Sequence, residues 1–259
     1  MMKQVEDYIS EFMPITLEEM DQVRLMNRTD TKYVFHVGLL SGILKQACEN
    51  YRMLTIGKTR LFKYNNLYYD TEGLKFYLEH HNGLRPRYKI RFREYLDTKE
   101  VFLEIKQKTN TNRTGKSRKK MEGLELSLSP QSLQYIKKRM PARNPSLQPS
   151  LWSQFKRITL VAKEEDERIT IDLDIGFSFD NHQKWLPGLV ICEVKRDGSA
   201  GSSSFMRLLK QHHIYPGNMS KYCLGTVLLK QGIKMNRFKA NLQKINKLEN
   251  EYNSYTAEG

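Results

Sequence analysis

The chain has 259 residues, with 43 Lys and Arg against 29 Asp and Glu for a formal net charge of +14. That length is ample for a buried core, and a content of 39% apolar and 10% aromatic residues excludes a disordered chain. No apolar run reaches the roughly 18 to 20 residues of a membrane span. Lys3, Glu6 and Asp7 do not suit a signal peptide, and three widely spaced cysteines argue for a reducing compartment. The expectation is a basic cytoplasmic protein forming one domain over residues 1–259.

In chain order, Thr16 and Glu19 have capping-box spacing and open a helix over residues 16–26. Arg28, Asp30 and Lys32 alternate along a strand leading into Tyr33-Val34-Phe35, and residues 37–51 read as a helix. Lys89, Arg91 and Arg93 alternate with Ile90 and Phe92, so one face of that strand carries three cations. A turn over residues 97–99 leads into 101–108, where Leu103 and Ile105 share one face and Glu104, Lys106 and Lys108 the other. The two runs make an antiparallel hairpin with a charged face.

Residues 110–117 read as a mobile loop, 131–140 as a helix behind Ser129-Pro130, and 141–149 as an irregular connection. Arg168, Thr170, Asp172 and Asp174 alternate with Ile169, Ile171 and Leu173. Residues 191–195 repeat the apolar-Glu-aliphatic-Lys order of Leu103 to Lys106. A second mobile loop is expected over 197–204 and a short helix over 205–212. Ile233, Phe238, Leu242, Ile245 and Tyr252 mark one side of an amphipathic C-terminal helix over about 234–252, packed on the body. Many antiparallel strands with helices between them imply an α+β fold, with closure into a barrel as one solution.

Several motifs fail. Gly115-Lys116-Ser117 lacks the earlier glycine of a P-loop, since position 110 is Asn110. His80-His81 and His212-His213 have no partners at zinc spacing and read as exposed loop histidines. Cys192 has no nearby histidine and reads as a buried structural thiol.

The charge is concentrated: residues 85–120 hold 13 Lys and Arg against four acids, +9 of the +14. A solvated sheet face laced with ion pairs would account for each strand separately. Five segments that each place cations with a carboxylate on one side suit a cationic cavity better. Such a cavity holds phosphoryl oxygens on Arg and Lys, and its carboxylates offer the oxygen ligands that Mg²⁺ or Mn²⁺ prefers. A nucleic-acid-binding face with Tyr88, Phe92 and Tyr95 as stacking groups is the alternative from another class. Glu104, Asp172, Asp174 and Glu193 argue against nucleic acid by repelling its backbone.

Arg28-Thr-Asp-Thr-Lys32-Tyr33, Leu67-Tyr-Tyr-Asp70, Lys89-Ile-Arg91-Phe-Arg93 and Phe102-Leu-Glu104-Ile-Lys106 together resemble the vacuolar transporter chaperone (VTC) domain. So do Lys116-Ser-Arg118, Arg168-Ile-Thr-Ile-Asp172, Cys192-Glu193-Val-Lys195 and Ser220-Lys221-Tyr222, in order over about residues 28–225. The resemblance implies a triphosphate tunnel metalloenzyme, with an eight-stranded antiparallel β-barrel around a basic lumen. It implies a polyphosphate polymerase using ATP, with Lys32, Arg91, Arg93, Lys106, Arg168 and Lys221 as catalytic cations. Lys89, Lys116, Arg118, Arg157, Lys195 and Ser220 would hold phosphate or nucleotide. Glu193 would ligate Mn²⁺ or Mg²⁺, with Glu104 as a second metal candidate.

Two departures are visible. Eukaryotic members carry membrane spans and an inositol-phosphate sensor domain, so this chain resembles a bacterial stand-alone form, for which a membrane-bound partner is possible. Asp30 stands where many tunnel enzymes have Glu in a Glu-x-Glu-x-Lys pattern, as expected for the polymerase branch. A triphosphatase of the same fold, acting on tripolyphosphate or a nucleoside triphosphate, remains the alternative enzyme.

Overall fold

The computed structural model describes residues 2–22, 28–111, 113–141, 143–197 and 203–257. Its frame is one curled antiparallel sheet. The strands are β1 (Met13–Ile15), β2 (Arg28–His36), β3 (Tyr51–Leu54), β4 (Phe62–Asp70), β5 (Arg87–Tyr95) and β6 (Glu100–Lys108). They continue with β7 (Thr114–Met121), β8 (Gln148–Ala162), β9 (Glu167–Phe179), β10 (His182–Leu186) and β11 (Leu189–Asp197). The eight-strand path runs β2-β11-β9-β8-β4-β5-β6-β7, with β1, β3 and β10 attached to its side.

Period-2 patterning separates the two faces of this sheet. The outward residues of β2, β11, β9 and β8, among them Val194, Ile171 and Ile158, form one core with α1 (Met2–Glu11), α3 (Leu40–Ala47) and α6 (Ser204–Gln211). Ile90, Phe92, Leu103 and Ile105 of β5 and β6 form another with Ile136 of α5 (Pro130–Arg139). The concave face divides. One end packs Leu151, Phe155 and Phe177 against Tyr222, Cys223 and Leu224 of α7 (Lys221–Leu229), with Ile245 and Leu248 of α8 (Lys239–Ala257) in the same core. The rest of that face is polar.

Among the described residues β2 and β7 do not pair with each other, so the wall of eight strands is open along one seam. The outer edge of β2 is taken instead by the segment before α7: Pro216 bridges Tyr33, and the Gly217 N–H donates to the Lys32 carbonyl at 2.8 Å. That contact satisfies an edge strand and delivers Ser220 and Lys221 to the concave side. The sheet still curls far enough that the Lys106 ammonium on β6 lies in the field of Glu193 on β11 and Lys32 on β2.

The capping box forms as expected, with Glu19 N–H on Thr16 Oγ1 at 3.2 Å and Thr16 N–H on Glu19 Oε2 at 2.8 Å. Its helix, α2 (Leu17–Gln22), is the described part of the expected 16–26. Of the expected loop 197–204, residues 198–202 lie outside the described residues. Other expectations are corrected. Residues 110–117 are not all loop, because β7 starts at Thr114, where pairing with β6 overrides the poor strand propensity of Thr-Gly-Lys-Ser. The 37–51 helix is a short 3₁₀ turn followed by α3, and Tyr51 opens β3. The C-terminal helix starts at Lys239, behind a 3₁₀ turn over Asn236–Phe238. His80 and His81 lie on α4 (Lys75–Asn82), with His81 only 2% exposed. Asp174 adopts a positive φ of 54° beside a bulge in the β8–β9 pairing. The alternation breaks there, and Asp174 pairs with Lys156 at 2.9 Å away from the inner face. No described helix is long and apolar enough to cross a membrane.

Candidate functional site: a cation-lined concave face

Register brings the charged side chains together. Lys32 opposes Glu193, which opposes Thr170; Asp172 opposes Arg157; Arg91 opposes Glu104, which opposes Arg118. All of these positions share the concave face with Lys89, Arg93, Lys106, Lys116 and Lys195. Thirteen of the fourteen expected site residues, counted with Ser220 and Lys221, meet there, and the fourteenth, Arg168, shares the register but turns to α2.

Three carboxylates organise the cations. Glu104, 3% exposed, accepts from Arg91 Nε at 2.9 Å and Nη2 at 2.7 Å, pairs with Lys116 at 2.5 Å, and has Arg93 Nε at 3.8 Å. Asp172, 4% exposed, binds Arg157 through both oxygens at 2.5 and 2.8 Å, and also Lys221. Glu193 bridges Lys32 and Lys195, the latter at 2.7 Å. Burial alone would raise each of these carboxyls; the paired cations outweigh it and hold all three well below the usual carboxylate range. The lysine values also fall, but here the shift disfavours the charged form. Burial lowers Lys89, Lys106, Lys195 and Lys221, and lowers Lys116 to about 8 despite Glu104.

Neutral groups fix the cations further. Arg91 Nη1 donates to Tyr68 Oη at 3.0 Å, Arg93 Nε to Asn66 Oδ1 at 3.0 Å, and Lys89 Nζ to Ser220 Oγ at 2.8 Å. Arg93 and Arg157 both lie over the Tyr64 ring at 5.1 Å, and Arg118 over Phe102 at 5.1 Å. Lys221 is placed by α7. Its neighbour Tyr222 stacks on Tyr68 at 5.0 Å and donates to Asp70, whose oxygens also accept from the Thr71, Phe76 and Tyr77 N–H groups. Arg168 differs from the rest. It shares the inner register, but its Nη2 donates to the Met20 carbonyl of α2 at 2.5 Å, which ties it to the scaffold.

Asp172, Tyr64, Asn66 and Tyr68 join the site beyond the expected residues. Asp172 and Tyr68 stood inside quoted motifs; Tyr64 and Asn66 had no signal beyond even spacing from Tyr68. Cys192 is fully buried, and burial pushes its thiol well above the ordinary range, as a structural cysteine requires.

No group of three or more His, Cys, Asp or Glu side chains gathers among the described residues as a ready cation cage. Mg²⁺-type ions are held by one or two carboxylates together with substrate phosphates. Glu193, 18% exposed, suits such a shared site; Asp172, clamped by Arg157 and Lys221, does not.

The chain resembles the solved structure of a Hippeastrum protein described as a candidate adenylyl cyclase with a dominant triphosphatase activity (11% identity, TM-score 0.47, 80% of this chain and 98% of that one). It also resembles candidate adenylate cyclases from Vibrio parahaemolyticus (12%, 0.45, 78% and 99%) and Bacillus halodurans (14%, 0.43, 83% and 100%). Likenesses this distant carry no functional argument. Among curated proteins, none matches this sequence. The family model of the VTC domain matches residues 27–230, the span that contains every strand of the inner face and Lys221 of α7, and the chain belongs to the VTC domain family.

Proposed function

We propose that this protein is a polyphosphate polymerase: it moves the γ-phosphoryl group of ATP onto the end of a polyphosphate chain held on the concave face. The observation that carries this reading is the state of the three inner carboxylates. Each is ion-paired and held below the ordinary carboxylate range. A general base for water needs a pKa near the working pH, and none of the three provides one. A terminal phosphate oxygen of a chain is already anionic and needs no base. It attacks the γ-phosphorus, the bond to the β-bridging oxygen breaks, and ADP leaves with that electron pair.

Arg91, Arg93, Arg157 and Lys221 converge from β5, β8 and α7, where charge builds on the transferring group. Ser220 and Lys89 hold one another beside them. Lys32, Lys106, Lys116, Arg118 and Lys195 continue the grip, and Arg168 secures the α2 end. Tyr95 and Phe102, in edge contact at 5.8 Å with Arg118 over Phe102, offer flat faces for the nucleobase. Mn²⁺ or Mg²⁺ shared between Glu193 and the phosphates would neutralise charge on them; Glu104, saturated by three cations, is the poorer ligand. Hydrolysis of tripolyphosphate or a nucleoside triphosphate is the competing reaction on the same grip. Incubation with ATP and Mn²⁺, followed by separate assays for long-chain polyphosphate and orthophosphate, decides between them. Orthophosphate and ADP without chain product would replace the polymerase with a triphosphatase.

A further inference from the structure

Beyond the three carboxylate nodes, β5 and β6 carry two cross-strand pairs of like charge, Arg87 opposite Lys108 and Lys89 opposite Lys106. Like charges directly opposite on a sheet destabilise it. Among the described residues the side chains of Arg87, Lys106 and Lys108 make no hydrogen bond or ion pair, and the Lys89 ammonium meets only the neutral Ser220 hydroxyl. His80 stands against these four cations on α4. Its Nδ1 is buried without a hydrogen-bond partner among the described residues, and its ring stacks on Phe238 at 6.4 Å. Burial, reinforced by Lys89, Arg87, Lys108 and Lys106, lowers its pKa to about 2.

Glu193 and Asp30 compensate Lys106 in part, through the field rather than by an ion pair; the groups packed around His80 offer no compensating charge. Glu79 on α4 is committed to Arg143 at 2.5 Å. His81 accepts from the Arg237 N–H, and Lys234 is bound to Asn82. On α7 the Cys223 thiol is buried, and burial raises it. An unmatched cation cluster and an unfilled buried nitrogen share one remedy, an oxyanion that neutralises the first and accepts a hydrogen bond from the second.

We propose that Arg87, Lys108 and His80 continue the grip of Lys89 and Lys106 as a second oxyanion subsite, for phosphate groups of a chain beyond those at the carboxylate-lined half, and that His80 takes up a proton when it is filled. This rests on the reading of the concave face as a phosphate-chain site. From Arg87 to Arg93 is six residues of strand, about 20 Å at a rise of roughly 3.3 Å per residue. A triphosphate is far shorter, so a long chain reaches both halves at once. The sign of the linkage is fixed. A bound oxyanion raises the His80 pKa, so binding takes up a proton, strengthens as pH falls below the bound-state pKa toward the free-state value, and loses that gain as pH rises through the bound-state pKa.

The test uses the full chain and histidine-ring NMR, with the His80 signal identified by its loss in His80→Gln, across pH 5 to 8. The expected result is no titration of His80 in the free protein and titration inside that window with saturating long-chain polyphosphate. Affinity for the chain then gains up to tenfold per pH unit on acidification, and the gain disappears in His80→Gln. The surface variant Arg87→Gln with Lys108→Gln should lose at least fivefold in long-chain affinity while tripolyphosphate affinity stays within threefold. Bound chain with an unmoved His80 signal, or unchanged long-chain affinity in the folded double variant, overturns the subsite and leaves the reading of the carboxylate-lined half standing. If neither anion binds the wild-type protein, both fall.

Discussion

Arg91 holds Glu104 through two nitrogens, and Glu104 is 3% exposed, so the arginine serves the fold as well as the ligand. Arg91→Ala leaves a buried carboxylate short of its main partner and should cost about 3 to 5 kcal/mol in urea unfolding. Lys116 pairs with the same carboxylate from a position 42% exposed, and Lys116→Ala should change stability by less than about 1 kcal/mol while weakening tripolyphosphate binding. Because the Lys116 pKa is lowered to about 8, anion affinity should fall as pH rises from 7.5 to 9. Lys116→Arg should flatten that fall, and an identical profile in the arginine variant would remove Lys116 from the grip. Glu104, Asp172 and Glu193 titrate lower folded than unfolded. Their contribution to stability is therefore present above the ordinary carboxylate range and lost as pH falls through the folded values. The melting temperature should be level from pH 8 to about 5 and drop steeply below about pH 4. Glu193→Gln should abolish metal-dependent turnover yet keep tripolyphosphate binding, and wild-type turnover would exclude it as the metal ligand.

At the scale of elements, α7 decides where Lys221 sits, and a close approach decides where α7 sits. A Cβ on Gly225 would lie 2.5 Å from Phe177 and 2.7 Å from Leu151. Gly225→Ala should therefore lift the helix from β8 and β9, costing about 1 to 3 kcal/mol and lowering tripolyphosphate affinity as Lys221→Ala does. Full affinity in a destabilised Gly225→Ala protein would show that the seat of α7 does not position the lysine.

The same elements show what the sequence made legible. Alternation around Ile90, Phe92, Leu103 and Ile105 revealed β5, β6 and their shared charged face, because one side is buried and the other is not. Helix α7 left no periodic signal: Tyr222, Cys223, Leu224, Gly225 and Thr226 are buried in succession, so no polar face marks it. Nor did alternation show that β7 is a strand, since its pairing is supplied by β6. It placed Asp174 inside, where a single positive φ turns it out.

Across the whole molecule, ten inner-face cations of the expected set surround three carboxylates, and the excess positive charge is an electrostatic cost of the empty fold that a polyanion relieves. A ligand that binds only the folded state at 100 times its dissociation constant adds about 2.7 kcal/mol, roughly 5 to 10 °C in melting temperature for a chain of this size. The decisive measurement is the melting temperature with tripolyphosphate, orthophosphate or sulfate at equal ionic strength. The concave face predicts a rise of that size with tripolyphosphate, little with the two small anions, and a reduced rise in Lys106→Ala and Lys221→Ala. Equal shifts from all three anions would mean a diffuse basic surface and would contradict the phosphate-chain site.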